Sequence, residues 1–247
     1  MMNDSVLSII YHSSFIINML ILSLDTSTTV CSVALHKDGV LLGCHELYTE
    51  RTSAAMLTTL ISNVVQQTGH ELNQLNAVAV AKGPGSYTGL RIGVSTAKGL
   101  CFALDKPLLA INTLAALAAQ VRSYFPTDYV LCPMIDARRM EVYCALYTTE
   151  GEEIKPTWAQ IIDDNSFNEW LIQSPVVFFG DGAAKCRALL GEQTNAIFPD
   201  VNVVPSARTV GQLATHAFSE NQFENLATFE PFYLKDFMTT QPKKAVL

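Results

Sequence analysis

The chain has 247 residues, 49% hydrophobic and only 16% charged, with a net charge of −7, so it can build one large or two small domains. Its basic residues are scattered apart from Arg138-Arg139 and Lys243-Lys244, which excludes a basic face that would hold a nucleic-acid backbone unaided. The six cysteines stand singly inside apolar runs, without a Cys-x-x-Cys or a histidine at zinc spacing, which argues against a zinc module and for reduced thiols in a cytoplasmic protein.

Residues 1–18 are apolar but carry Asp4, no Lys or Arg, and the interruption His12-Ser13-Ser14, so they match neither a signal peptide nor a membrane span. Met19 reads as the functional start and residues 1–18 as a dispensable extension. Strands follow over 20–24, 30–36 and 40–47, with a polar turn Asp25-Thr-Ser-Thr-Thr29 between the first two. Together they predict an antiparallel meander. Thr52 or Ser53 is placed to cap a helix whose Leu57, Leu60, Ile61, Val64 and Val65 recur at three-and-four spacing. Ala77 to Ala81 is apolar on both alternations, as a strand buried on both faces requires.

That strand feeds Lys82-Gly-Pro-Gly-Ser-Tyr-Thr-Gly-Leu-Arg91, a glycine-punctuated loop opening into a helix over 90–104. Gly83, Gly85 and Gly89 would let backbone amides approach an oxyanion at a helix N-terminus, yet no Gly-Lys-Ser/Thr closes the loop. Further on come a strand over 108–111 and a helix over 113–124. A second hairpin spans 129–135 and 141–147, with a short helix near 166–172 after it. A strand over 176–179, the turn Gly180-Asp181-Gly182, a helix over 183–190, a strand near 201–204 and a helix over 210–218 complete the chain. Two successive units of strands, helices and a buried strand suggest a duplicated α/β architecture with a ligand position between its lobes.

The Asp25-Thr-Ser turn, the Gly83–Arg91 loop, the Pro133-x-Ile-Asp-Ala-Arg-Arg-x-Glu-Val-Tyr143 hairpin, Gly180-Asp-Gly182 and the Pro231-x-Tyr-Leu-Lys235 tail occur in one order. In that set the chain resembles the TsaB (YeaZ) family of tRNA threonylcarbamoyladenosine biosynthesis proteins, within the actin-like, sugar-kinase-like ATPase superfamily, from about Met19 to about Lys235. The resemblance implies a two-lobed actin-like (ribonuclease H-like) ATPase-type fold, with duplicated mixed sheets flanked by helices. The lobes are expected over 19–106 and 107–247, with the last helix, 209–220, free to return to the first. It also implies a non-catalytic partner of a TsaD-like catalytic subunit, with a TsaE-like ATPase in the same assembly, tRNA bound only through the complex, and a homodimer when alone. Where TsaD carries two metal-binding histidines one helical turn apart, this chain reads Thr113 and Leu117, so no metal ligands are expected there.

Each candidate site residue has two readings. Asp25, Ser27 and Thr28, with Gly83, Gly85, Gly180 and Gly182, could form a vestigial cradle for a weakly held adenine nucleotide. Asp25 could equally close an Asx-turn, and the glycines could serve ordinary strand-to-helix turns. Leu57, Ile61, Gly93 and Ala97 are assigned to the face that meets the catalytic subunit. Asp136, Arg138, Arg139 and Glu141 form either a hairpin salt-bridge network or a contact surface. A stand-alone kinase or ATPase of the same superfamily is the alternative function. Without His-x-x-x-His or His-Glu-x-x-His, a metalloprotease gains no support.

Overall fold

The computed structural model describes residues 18–48 and 54–235, so the expectations for 1–17, for the Thr52 or Ser53 cap and for the end of the tail lie outside the described residues. Strands β1 (Leu20–Asp25), β2 (Val30–Lys37) and β3 (Val40–Tyr48) form the meander, followed by α1 (Ala54–Gln67). Next, β4 (Ala77–Gly83) pairs parallel to β1, α2 (Tyr87–Leu104) crosses over, and β5 (Leu108–Asn112) pairs parallel to β4 before α3 (Thr113–Val121). The second half repeats this plan. It runs β6 (Val130–Asp136), β7 (Glu141–Thr148), β8 (Glu153–Ile161), α4 (Asn168–Leu171), β9 (Val176–Phe179), α5 (Ala183–Leu190), β10 (Ala196–Ile197) and α6 (Ala207–Ser219). Both five-stranded sheets have the same order, β3-β2-β1-β4-β5 and β8-β7-β6-β9-β10, which makes the fold a duplicated, actin-like pair of lobes.

Strand alternation sorts the core into layers. Leu20, Leu22, Leu24, Val78 and Val80 pack with α1 and α2 on one face of the first sheet, while Ile21, Ala77, Ala79 and Ala81 pack with α6 on the other. This two-sided burial accounts for the wholly apolar β4. In α3, Ala116 meets the first sheet, whereas Leu114, Leu117, Ala118 and Val121 meet Leu131, Ile135, Ala145 and Val177 of the second. Cys132, Met134, Cys144 and Phe178 on the outer face pack against Ala183, Cys186 and Leu190 of α5. Helices α3 and α6 therefore form the middle layer that joins the lobes.

Several expectations need correction. A boundary between 106 and 107 cuts the first sheet, because β5 pairs with β4 and so belongs to the first lobe. Helix α6 packs on β1 and β2, and Glu224 bridges to Leu108, so residues 207–224 lie with that lobe, the return that the expectation had left open for the last helix. The strand expected over 201–204 is absent; β10 takes the edge instead at Ala196–Ile197. The third strand of the second meander, β8, was not anticipated: it is an edge strand with Glu153, Lys155 and Pro156, and its half-exposed face carries little apolar alternation.

Candidate functional site

The carboxyl ends of β1 and β4 bring the Asp25 turn and the glycine loop together. Asp25 is fully buried, and its Oδ1 accepts hydrogen bonds from the Ser27 amide (2.9 Å) and the Ser27 hydroxyl (2.6 Å), closing an Asx-turn. Thr28 closes the next step by accepting from the Val30 amide at 3.3 Å. Asp25 Oδ2 is buried without a hydrogen-bond partner. The carboxyl pKa is raised to about 6, chiefly by burial, with the two Ser27 bonds opposing and Glu46 adding a smaller upward push.

The glycines are explained by what presses on them. The Ser86 amide donates to the Ser27 carbonyl at 2.6 Å, and the Thr26 hydroxyl donates to the Gly89 carbonyl at 2.7 Å, so the loop is bonded directly to the turn. A Cβ at Gly85 would collide with the Ser27 carbonyl, and one at Gly89 with the Thr26 carbonyl. Gly83 faces the tail instead: the Phe232 amide donates to the Lys82 carbonyl at 2.7 Å, and the Phe232 carbonyl lies 2.7 Å from where a Gly83 Cβ would sit. These glycines are thus accounted for by close approach of the chain's own backbone.

The tail is the part of the site that sequence reasoning did not locate. Lys98 Nζ donates to the Phe229 carbonyl at 2.9 Å, the Tyr87 and Tyr233 rings stand 5.0 Å apart, and Lys235 pairs with Glu141 of the second lobe. Pro231-x-Tyr-Leu-Lys235 was visible as a motif, but nothing local could tell that it straps the glycine loop to β7.

In the second lobe, Gly180 and Gly182 also serve packing. A Cβ at Gly180 would strike the Met134 carbonyl, and one at Gly182 would lie 2.9 Å from the Ile135 carbonyl carbon. The Asp181 carboxylate accepts from the Asp136 amide at 3.0 Å; burial is the largest influence on its acidity and raises its pKa. Asn112 caps α3 by accepting from the Leu114 and Ala115 amides, and its side-chain amide reaches across to Thr157 at 2.9 Å. Thr113 and Leu117 follow, both fully buried, with Leu117 in the layer between the lobes. Among the described residues no group of three or more His, Cys, Asp or Glu side chains converges as a metal site. Cavities of about 190 and 50 Å³ open elsewhere, the first at the amino end of β1 and the second between α3 and β7.

The four residues assigned to the partner face are corrected by burial. Leu57, Ile61 and Ala97 belong to the core of the first lobe, and Gly93 is buried against Thr26. The apolar stripes of α1 and α2 were read as outward-facing but hold the helices to their own sheet. The exposed faces carry other residues: Ala54, Ala55, Thr58 and Thr59 on α1, and Ser95, Gly99 and Phe102 on α2, with Phe102 82% exposed. No helix among the described residues is long and apolar enough to cross a membrane.

A family model described as TsaD, tRNA N6-adenosine threonylcarbamoyltransferase, matches residues 43–247. The tRNA threonylcarbamoyladenosine biosynthesis protein TsaB of Escherichia coli is 31% identical over 229 residues, 88% of this chain and 95% of that protein. Its counterpart from Haemophilus influenzae is 31% identical over 90% of this chain and 96% of its own length. The solved structure of YeaZ from Pseudomonas aeruginosa superposes with a TM-score of 0.72 at 28% identity, covering 87% of this chain and all of that one. With the duplicated lobes, the Asp25 turn and the glycine loop in place, the near-complete coverage of these relatives shows that the chain belongs to the TsaB (YeaZ) family.

Proposed function

We propose that this chain is an accessory subunit, acting in the cytoplasm, of the system that forms N6-threonylcarbamoyladenosine at position 37 of tRNAs reading A-starting codons. In this reading it binds and activates a TsaD-type catalytic subunit. One observation carries the proposal: a chain matched by the transferase family model has the fully buried Thr113 and Leu117 where the resemblance to that family would put its metal-binding histidines. Neither side chain supplies an imidazole nitrogen, so the catalytic metal must belong to another subunit. The contacts that hold the Asp25 turn against the glycine loop account for its glycines without a nucleotide, which is consistent with an accessory role. A TsaE-type ATPase would act through the assembly, and tRNA would be held jointly, because a chain of net charge −7 lacks the clustered cations that bind RNA alone.

The exposed faces of α1 and α2, with Ser95, Gly99 and Phe102, offer the small and apolar surface for the related subunit. A second copy of the same fold could take that position when the partner is absent. Depleting the protein and digesting bulk tRNA to nucleosides for mass spectrometry should show loss of threonylcarbamoyladenosine. The tagged chain should also co-purify with the TsaD-type protein of the same cell. Unchanged modification would reject the role. The unpartnered Asp25 Oδ2 favours the competing ATPase reading, which wins if the purified chain turns over ATP and Asp25→Ala abolishes the turnover.

A further inference from the structure

The charged hairpin between β6 and β7 divides into two unlike sets. Asp136 pairs with Lys185, Glu141 pairs with Lys235, and Asp136 Oδ1 also accepts from the Arg138 amide at 2.7 Å. Lys185 Nζ further donates to the carbonyl of Arg139 at 2.9 Å and to that of Glu141. The acidic side chains of the turn are therefore engaged by lysines from α5 and the tail. The guanidinium groups of Arg138 and Arg139 have no ion pair or hydrogen bond among the described residues, and both residues are exposed.

Their backbone is unusual too: Arg138 and Arg139 are consecutive residues at φ +70° and +50°, in the left-handed region that glycine and asparagine occupy most readily. The Lys185 clamp and the Asp136 bond hold that conformation from both sides. Asn-Gly would serve the shape alone, so what two arginines add at this turn is the chemistry of their side chains. Two adjacent guanidinium groups, unpaired among the described residues, on an otherwise acidic chain form a small anion-binding tip, suited to phosphate by planar, forked donation.

We propose that the Arg138-Arg139 tip is this chain's contact with the phosphate backbone of the tRNA held by the assembled complex. The inference rests on the proposed function, in which the RNA is the polyanion at hand; an acidic protein segment is the competing occupant. The contact is too small to bind RNA alone, so it acts in a surface shared with the catalytic subunit.

The test uses the full chain, co-purified with the TsaD-type protein of the same cell, and unmodified tRNA transcript in a filter-binding salt titration. The variant is Arg138→Gly/Arg139→Gly. A second, Arg138→Asn/Arg139→Asn, keeps side chains that tolerate the left-handed region. Lys37→Ser/Lys106→Ser removes equal charge from the opposite end of the first sheet and serves as control. Both tip variants should form the complex normally, bind tRNA roughly tenfold more weakly near 0.1 M salt and lower the salt slope by about two, while the control changes little. The glycine variant should melt no lower than the parent, because the turn is relieved of strain. An unchanged slope with an intact complex would overturn the contact while leaving the accessory role standing. Tip variants that lose the catalytic subunit but not RNA affinity would overturn it in favour of an acidic protein partner. Failure of the parent chain to co-purify would reject the accessory role, and the shared contact with it.

Discussion

Asp25 sits where a carboxylate is most expensive. It is fully buried, one oxygen closes the turn through Ser27, and the other has no partner. Its folded pKa of about 6 lies above the ordinary 3.8, so between those values the folded chain binds more protons than the unfolded one. Stability from this group therefore falls as pH rises from about 4 to 6, and above that window the ionised side chain costs on the order of 3 kcal/mol. Asn keeps an oxygen for the Ser27 amide and carries no charge. Asp25→Asn should accordingly stabilise the protein at pH 7.5 by about 1–3 kcal/mol and give little or no gain at pH 4. Urea melts at the two pH values measure the difference; an equal effect at both would mean that the carboxyl is already neutral or is solvated. The same residue illustrates what sequence could reveal. Its position after the first strand was legible, and so was the possibility of an Asx-turn, but the packing of Gly85 and Gly89 against the Ser27 and Thr26 carbonyls, which holds that turn, comes from a distant part of the chain.

At the scale of elements, periodicity located helices well and oriented them poorly. Leu57, Leu60, Ile61, Val64 and Val65 marked α1 correctly, yet a stripe that binds a partner and a stripe that binds the helix's own sheet have the same spacing. The structure assigns the stripe to the sheet, and the consequence can be tested within one turn of α2. Ala97→Glu buries an unpaired charge in the core of the first lobe and should leave little folded protein. Gly99 has nothing within 4 Å of where its Cβ would stand, so Gly99→Glu should fold, with a helix gain of up to about 1 kcal/mol. If the exposed face of α2 receives the catalytic subunit, Gly99→Glu and Phe102→Ser should both reduce co-purification without lowering the melting temperature by more than a few degrees. Undiminished recovery with both would move the interface elsewhere. Strand β8 escaped sequence reading for a related reason: at an edge, hydrogen bonding to β7 rather than apolar alternation fixes the strand.

For the whole molecule, the layering decides whether the lobes behave as one unit. Helix α3 gives Ala116 to the first sheet and Leu114 and Leu117 to the second, α6 caps the first sheet beside it, and the tail ties Lys82 to Phe232 and Lys235 to Glu141. Stripping α3 from the second core would expose the fully buried Leu114 and Leu117 at about 2 kcal/mol each, and stripping it from the first would uncover Ala116 and the face of Leu109. The lobes should therefore unfold together. The chain carries its own reporter, since both tryptophans, Trp158 and Trp170, stand in the second lobe and pack against its outer core. Leu24 is fully buried on the far face of the first sheet, in contact with α1 and α2 rather than with α3. Leu24→Ala should cost about 3 kcal/mol, which for a chain of this length lowers the melting temperature by about 6–12 °C. If the lobes are coupled through the middle layer, tryptophan fluorescence and far-ultraviolet circular dichroism will report the same lowered midpoint, although no tryptophan lies in the mutated lobe. Fluorescence that melts at the parent temperature while the dichroism splits into two transitions would mean that α3 stays with the second lobe and the first unfolds alone.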